Sequence, residues 1–179
     1  TGGKRSGIHA LDEVEIYDPE SEDWSVVAGM STARNSHTAS LLNDGRVLVV
    51  GGYGVNKNPI SSAEVFDPET ARWSLAAKLN IPRADHTATV LANGQVLIVG
   101  GIGEHTLTEL YNPESDSWSA AAALNSPRYQ HTAALLIDGS VMIIGGLEGG
   151  EDPRRSDTAE IYDSQSNNWI VLGESQITE

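Results

Sequence analysis

The chain has 179 residues, a formal net charge of −14 at pH 7 and no cysteine. Nucleic acids and anionic membrane surfaces bind clustered Lys and Arg, so this charge argues against both kinds of partner. The lack of cysteine removes disulfides, thiolate-bound metals and cysteine nucleophiles from these residues. The apolar runs are also far shorter than the roughly 18 residues that a membrane-spanning helix needs.

The first element in the chain is the second half of a unit that later recurs in full. The pair Gly2-Gly3 aligns with Gly-Gly pairs further along the chain, and residues 14–19 (VEIYDP) follow as a short predicted strand. Trp24 comes next, in a second predicted strand. Short runs with aromatic and β-branched residues, bounded by turn residues, are typical of strands. The sequence therefore predicts a two-stranded ribbon before the first complete unit.

The first complete unit opens with a predicted hairpin at residues 37–52 (HTASLLNDGRVLVVGG), which recurs at residues 86–101 and 131–146. Each copy carries Asp-Gly or Asn-Gly between two apolar runs, which predicts a type I′ turn with φ > 0 at both central residues. The apolar run before each Gly-Gly pair is typical of a strand buried on both faces. We expect the two hairpin strands to be the most buried strands of the unit.

The second half of the unit recurs in the same register. A motif like residues 14–19 appears at residues 63–68, 108–113 and 159–163, and the tryptophans that follow are spaced by 49, 45 and 51 residues. An arginine stands three residues before each hairpin histidine. The recurring residues are Glu15, Glu64, Glu109 and Glu160; Trp24, Trp73, Trp118 and Trp169; Arg34, Arg83 and Arg128; and His37, His86 and His131.

Each unit thus has four predicted strands: A and B from the hairpin, C with the glutamate and D with the tryptophan. Four-stranded units at this spacing are typical of β-propeller blades. Length varies in one place only, since 12, 12, 8 and 14 residues separate each Gly-Gly pair from the next glutamate. These B–C loops are residues 53–60, 102–107 and 147–157. Because successive strands reverse direction, they share a face with the D–A connections, and we expect the functional site there.

The Gly-Gly pairs, Tyr-Asp-Pro motifs, tryptophans and Arg-x-x-His sequences together resemble the kelch repeat. The HTA and DGxV sequences resemble those of bacterial kelch arrays, and the central domain of galactose oxidase is a more distant likeness. The resemblance implies an all-β fold: a kelch-type β-propeller, present here as about three and a half four-stranded antiparallel blades. Residues 1–179 form a single propeller domain or fragment, with blade parts at approximately residues 1–30 (strands C and D), 31–78, 79–123 and 124–173.

A closed propeller typically has about four to eight blades, which leaves three arrangements open. The chain is a fragment of a longer kelch protein, or two copies close a seven-bladed ring as a homodimer, or the chain's own ends complete a four-bladed ring. In each case the strand at residues 14–18 has an unpaired edge, and such edges invite pairing. We expect further residues, a second copy or residues 174–179 to cover it.

The recurring polar and aromatic residues are interpreted as scaffold, because a propeller has one axial site and these residues occur in every blade. A ring of histidines is too wide for one metal, whose bonds to nitrogen are about 2.1 Å, so each histidine is expected to hydrogen-bond between blades. The Arg and Glu residues are expected to form buried pairs, and the tryptophans to pack the blades. Residues 149–157 lack the ligand spacing of a calcium loop, and their polar, charged sequence predicts a flexible loop. We predict no catalytic residue, metal or cofactor.

In the kelch family, partner-binding positions cluster where strand A begins and in the B–C loops. The resemblance therefore implies a set of candidate binding residues at the matching positions: Asn35, Ser36, Tyr53, Asn56, Lys57, Ala84, Asp85, His105, Tyr129, Gln130, Arg154 and Arg155. The predicted function is a binding module for a protein, peptide or glycan partner.

The alternative is a kelch-type enzyme, either carbohydrate-active or similar to the sialic-acid mutarotases. A copper radical oxidase is disfavoured because its cofactor needs a cysteine, which this sequence lacks. The resemblance to bacterial arrays favours an extracellular or periplasmic location over the cytoplasm.

Overall fold

The computed structural model describes residues 1–4, 10–102, 106–149 and 153–172, and all regular structure in these ranges is β. A ribbon of β1 (Val14–Asp18) and β2 (Asp23–Val27) comes first, and three four-stranded antiparallel sheets follow it along the chain. The described ranges contain no helix long and apolar enough to cross a membrane. The predicted fold class, an all-β partial propeller, is confirmed.

The three sheets have the same strand order, A–B–C–D, from one edge to the other. The first sheet consists of β3 (Thr38–Leu41), β4 (Val47–Val50), β5 (Ala63–Asp67) and β6 (Arg72–Ala76). The second consists of β7 (Thr87–Val90), β8 (Val96–Val99), β9 (Thr108–Asn112) and β10 (Ser117–Ala121). The chain continues with β11 (Thr132–Leu135), β12 (Val141–Ile144), β13 (Leu147–Glu148), β14 (Arg154–Arg155), β15 (Ala159–Asp163) and β16 (Asn168–Leu172), and all of these except β13 and β14 form the third sheet.

The hydrophobic cores lie between consecutive sheets. Val50 of β4 packs in one cluster with Ile98 of β8, and Val99 of β8 packs in the next cluster with Ile143 of β12. A smaller cluster joins Val14 of the ribbon to the first sheet. Because β4 and β8 each contribute side chains to clusters on both of their faces, their sequences are continuous apolar runs rather than alternating ones.

The prediction that both hairpin strands are the most buried is wrong for strand A. Strands B and C are largely buried, whereas the A strands β3, β7 and β11 are mostly half-buried or exposed. Leu41 and Leu135 are both exposed. The reason is position, because A is an edge strand with a hydrogen-bonded neighbour on one side, while B and C have neighbours on both sides.

The hairpin turns also differ from the predicted type I′ geometry. Gly45 has φ +86°, but Asp44 is not in the left-handed region. Gly45 N donates to Leu42 O at 3.0 Å and Leu42 N donates to Arg46 O at 2.8 Å, which is the pattern of a three-residue loop ending in a left-handed glycine. Asp44 Oδ1 accepts from Arg46 N at 3.0 Å, so the aspartate caps the turn instead of adopting positive φ itself.

In the three complete sheets, the second glycine of the Gly-Gly pair makes room for the hairpin histidine. At Gly101, φ is +99° and an added Cβ would lie 2.7 Å from Ala84 O and 2.9 Å from His86 Cβ. Only glycine avoids both the backbone strain and this clash. The Gly-Gly motif is therefore a packing feature of strands A and B.

The last B–C loop, which contains the predicted flexible loop of residues 149–157, carries a short strand pair. Its strands β13 and β14 pair antiparallel, with Leu147 opposite Arg155 and Glu148 opposite Arg154. Residues 150–152 lie outside the described ranges.

Candidate functional site

The recurring Arg and Glu residues form ion pairs within each complete sheet, as the sequence predicts. The Nη2–Oε1 distances are 2.8 Å for Arg34–Glu64, 2.9 Å for Arg83–Glu109 and 3.0 Å for Arg128–Glu160. All six side chains are buried, whereas Glu15 in the ribbon is exposed. Buried charged groups are costly unless their hydrogen bonds are satisfied, so the further contacts of these glutamates matter.

Each buried glutamate also accepts hydrogen bonds from the D–A connection that leads into its sheet. Glu64 accepts hydrogen bonds from the backbone N–H of Ser31 at 2.6 Å and of Thr32 at 3.0 Å. Glu109 accepts from Asn80 N and Glu160 from Asn125 N, both at 2.9 Å. The D–A connection leads directly to the candidate binding residues, so these pairs fix the backbone that presents the candidate site.

The recurring histidines link neighbouring blades. His86 Nε2 lies 2.9 Å from Oγ1 of Thr38 in the preceding sheet, and His131 Nε2 lies 2.8 Å from Oγ1 of Thr87. Burial, with a nearby arginine, lowers the pKa of His86 to about 3 and those of His37 and His131 to about 4. All three histidines are therefore neutral at physiological pH, and His86 and His131 act as packed, hydrogen-bonded links between sheets.

Three of the four tryptophans join each sheet to the element before it. The indole Nε1–H of Trp73 donates to Ala28 O at 2.8 Å, that of Trp118 to Ala77 O at 2.7 Å and that of Trp169 to Ala122 O at 2.9 Å. Each also packs on the aromatic residue of strand C, with ring centroids about 5 Å apart. Trp24 belongs to the ribbon and is exposed.

The residues that begin the A strands form a ladder across the three sheets. Asp85 N donates to Ser36 O at 3.1 Å, and Gln130 N donates to Asp85 O at 2.9 Å. All three residues have left-handed backbones, with φ of 51° at Ser36, 55° at Asp85 and 54° at Gln130. The A strands β3, β7 and β11 contact one another in the same order, so the ladder lies where the sheets converge.

The first residue of each B–C loop pairs with the residue just before a ladder residue. Tyr53 bridges Asn35, Ile102 bridges Ala84 and Leu147 bridges Tyr129. The B–C loops and the starts of the A strands therefore lie on one face, as strand direction predicts. We call this face the variable face, and we call Ser36, Tyr53, Asp85, Tyr129 and Gln130 the axial cluster.

Within the axial cluster, Tyr53 and Asp85 are joined by their side chains. The Tyr53 hydroxyl donates to Asp85 Oδ2 at 3.1 Å. Burial, with the negative charge of Asp85, raises the pKa of Tyr53 to about 12, and Tyr129 contributes to the same shift. The Tyr53 phenol is therefore protonated at neutral pH and remains a hydrogen-bond donor to the carboxylate.

The loop after Tyr53 separates two clefts on the variable face. One, of about 370 Å³, is lined by Lys4, Asn35, Ser36, Tyr53 and Lys57, among others. The other, of about 450 Å³, includes Asn56 and Asn58 in its lining. The loop is closed by hydrogen bonds from Lys57 N to Gly54 O and from Gly54 N to Asn58 O. It therefore presents Asn56 and Lys57 on an ordered turn.

The opposite face also has clefts, but they lie among recurring turns. One of about 320 Å³ is lined by Asp44 and Asn93, and one of about 600 Å³ by Asn93 and Asp138. These aspartates and asparagines cap their own hairpin turns, and the turns are alike from blade to blade. The clefts on this face are thus a by-product of the repeat.

Three of the described candidate binding residues fall outside the axial cluster and its clefts. Arg154 and Arg155 are exposed in β14, where Arg154 Nη2 lies 4.0 Å from Glu148 Oε2. Ala84 is fully buried beneath the ladder and cannot contact a partner, which corrects its inclusion among the candidates. His105 lies outside the described residues.

Lys4 lines the first cleft but is absent from the predicted set. It is the residue directly after Gly2-Gly3, and it is thus equivalent to Tyr53 after Gly51-Gly52. Its bridge to Ala10 resembles the bridge that Tyr53 forms with Pro59 in its own loop. Alignment of the Gly-Gly pairs was therefore a sufficient signal for this residue.

Comparison with known proteins gives matches along most of the chain. The family model of the KLHDC2/KLHL20/DRC7 kelch-repeats domain matches residues 1–146, and that of the kelch motif matches residues 128–176. A stretch of 51 residues is 35% identical to the tRNA wybutosine-synthesizing protein 4 of Saccharomyces cerevisiae. The matched part is 28% of this chain and 7% of the yeast protein, so the chain spans only a small part of that relative.

Proposed function

The chain belongs to the kelch-repeat family, and we propose that it is a binding module whose variable face takes a protein or peptide partner. Kelch repeats generally mediate protein interactions. The bacterial subtype and the exported location remain predictions, as does a glycan in place of a peptide. No observation favours the mutarotase-like alternative over binding.

The observation that carries the proposal is the ladder of Ser36, Asp85 and Gln130. Three register-equivalent residues share one backbone conformation and one hydrogen-bonding pattern, yet they carry three different side chains. The buried Arg and Glu side chains behind them do not vary. A constant scaffold that presents varied polar groups at the centre of a face is typical of a recognition surface.

The charge of the chain bears on the kind of partner. With 25 acidic against 11 basic residues, the protein attracts basic partners and repels acidic ones. Such long-range attraction mainly raises the association rate, and it weakens as salt is added.

Panning of a random peptide display library on the immobilised chain tests the proposal. Recovered peptides are measured by biolayer interferometry against wild type, Gln130→Ala on the variable face and Glu114→Ala on the opposite face. Gln130 is exposed and in the ladder, and Glu114 lines the 320 Å³ cleft. We expect Gln130→Ala to weaken binding about fivefold, as truncation of a contact residue does, and Glu114→Ala to leave it unchanged.

Two outcomes contradict the proposal. The first is peptide binding that Glu114→Ala weakens and Gln130→Ala does not, which moves the site to the opposite face. The second is an absence of selected peptides together with retention on a glycan array that Gln130→Ala abolishes, which makes the partner a glycan.

A further inference from the structure

The half-buried carboxylate of Asp85 lacks a cationic partner within the described ranges. Every fully buried glutamate of the complete sheets has an arginine at 2.8–3.0 Å and backbone N–H donors besides. Asp85, by contrast, accepts one hydrogen bond, from the Tyr53 hydroxyl to Oδ2, and no described Lys, Arg or His lies within 4.0 Å of it. An ionised carboxylate can accept about four hydrogen bonds, and described side chains supply Asp85 with one of them.

The backbone holds this carboxylate in place. Asp85 has φ 55°, and its N–H and C=O are both bonded to the ladder residues of the neighbouring sheets. Aspartate is among the few residues that tolerate this conformation. A side chain on so constrained a backbone loses little further freedom when a ligand binds, which favours affinity.

Two tyrosines accompany the carboxylate in the axial cluster, and one of them, Tyr53, hydrogen-bonds to it. Tyr53 comes from the first sheet and Tyr129 from the third, while Asp85 comes from the second sheet between them. Tyr53 and Tyr129 are near enough to influence each other electrostatically. Rings beside a carboxylate suit a cation, because the ring face and the anion both attract positive charge.

We propose that the axial cluster binds a single basic side chain, lysine or arginine, of a peptide partner, with Asp85 as its ion-pair acceptor and Tyr53 and Tyr129 beside it. The proposal rests on the peptide-binding function proposed above and names the chemistry of its central contact. The net charge of −14 draws basic groups toward the protein.

The neighbouring cleft restricts the ligand further. Lys4 and Lys57 line it, together with Asn35 and Ser36. Two lysines repel additional positive charge, so the residues that flank the basic side chain on this side are neutral or acidic. A polybasic segment therefore fits less well than one isolated lysine or arginine.

Three display libraries of heptapeptides test the inference. They share random flanks and differ only in the central residue, which is Arg, Lys or Gln. We expect the Arg and Lys libraries to yield binders and the Gln library to yield few. Recovered Arg or Lys peptides should bind Asp85→Asn at least tenfold more weakly than wild type. The control is Asp163→Asn, which changes a half-buried aspartate on the opposite face and should bind the peptides as wild type does.

A change in the peptide alone guards against a variant that folds poorly. Citrulline has the shape of arginine without its charge. Arg→citrulline in the peptide should therefore weaken its binding to wild-type protein at least tenfold and its binding to Asp85→Asn less than twofold. Arginine amide as a competitor distinguishes the source of the cation: at millimolar concentration it should displace the peptides only partly, because it lacks their flanking contacts.

The failures of the two proposals are distinguishable. Peptides that Gln130→Ala weakens but Asp85→Asn does not, or Gln-centred peptides as tight as Arg-centred ones, overturn the cation site and leave the binding function intact. Peptides that bind but are unaffected by both variants overturn the assignment of binding to the variable face, on which the proposed function rests. Full displacement by arginine amide overturns the peptide assignment in favour of a small cationic ligand.

Discussion

At the scale of single residues, the recurring charged side chains act as ion pairs within each sheet. Arg34 and Glu64 are far apart in sequence, yet they meet at 2.8 Å because Arg34 precedes strand A and Glu64 lies in strand C of the same sheet. The sequence predicts this pairing from recurrence alone. It does not reveal that Glu64 also accepts two backbone hydrogen bonds from Ser31 and Thr32, since backbone donors leave no mark in the sequence.

The exposed Glu15 offers a matched control for the buried Glu64. Glu64→Ala leaves the Arg34 guanidinium buried without its counter-ion and removes the acceptor of two backbone N–H groups, so it should destabilise the fold by about 3–5 kcal/mol. Glu15→Ala changes an exposed residue at the equivalent position and should change the free energy of unfolding by about 0.5 kcal/mol or less. Urea denaturation of both variants measures the difference. Equal losses would mean that the glutamate acts locally in its strand and not through the ion pair.

At the scale of elements, pattern predicts strands better than it predicts their surroundings. The apolar run of β8 correctly predicts a strand buried on both faces. The similar run of strand A misleads, because hydrophobicity does not tell which strand becomes the edge of a sheet. The prediction of type I′ hairpin turns is wrong for a related reason. Asp-Gly fits two turn types, and a side-chain cap at Asp44 selects the type with a single left-handed residue.

The histidines that link neighbouring A strands predict a dependence of stability on pH. His86 has its pKa lowered to about 3 by burial, against about 6.5 when unfolded, so between these values the unfolded state binds more protons. The contribution of the buried histidines to the free energy of unfolding is fully present above about pH 6.5. It should fall as pH drops toward 4, by up to about 1.4 kcal/mol per pH unit for each buried histidine. Urea midpoints between pH 4.5 and 7.5 measure this slope.

His86→Asn should reduce that slope by the share of one histidine. Thr38→Val removes the hydrogen-bond partner but keeps the buried ring, so it should lower stability at every pH and leave the slope unchanged. NMR titration of the wild-type imidazoles is independent of both variants. A histidine of strand A that titrates near pH 6.5 in the folded chain would contradict the burial argument.

At the scale of the whole molecule, the repeat makes every inter-sheet interface alike, and this explains which surfaces are left over. Val50, Val99 and Ile144 occupy the same position in three B strands; the first two are 1% and 0% exposed, but Ile144 is 42% exposed because no described sheet packs on it. At the other end, Trp24 is 66% exposed, whereas Trp169 in the same position is 5% exposed. The sequence predicts the apolar residues, but it does not show which copies lack a neighbour.

These two end faces predict that the 179-residue chain associates with itself in solution. The face with Ile144 is equivalent to a face that elsewhere packs on a tryptophan-bearing sheet, and the ribbon with Trp24 presents the tryptophan-bearing counterpart. A head-to-tail contact between copies would therefore repeat an interface already present twice within the chain. Light scattering during gel filtration should give a mass above that of one 19.0 kDa chain, rising with concentration. Trp24→Lys or Ile144→Lys should restore the monomer, and Leu75→Lys, at an exposed leucine within the first sheet, should not. A wild-type monomer at every concentration would show that the exposed end faces are stable in water without a second copy.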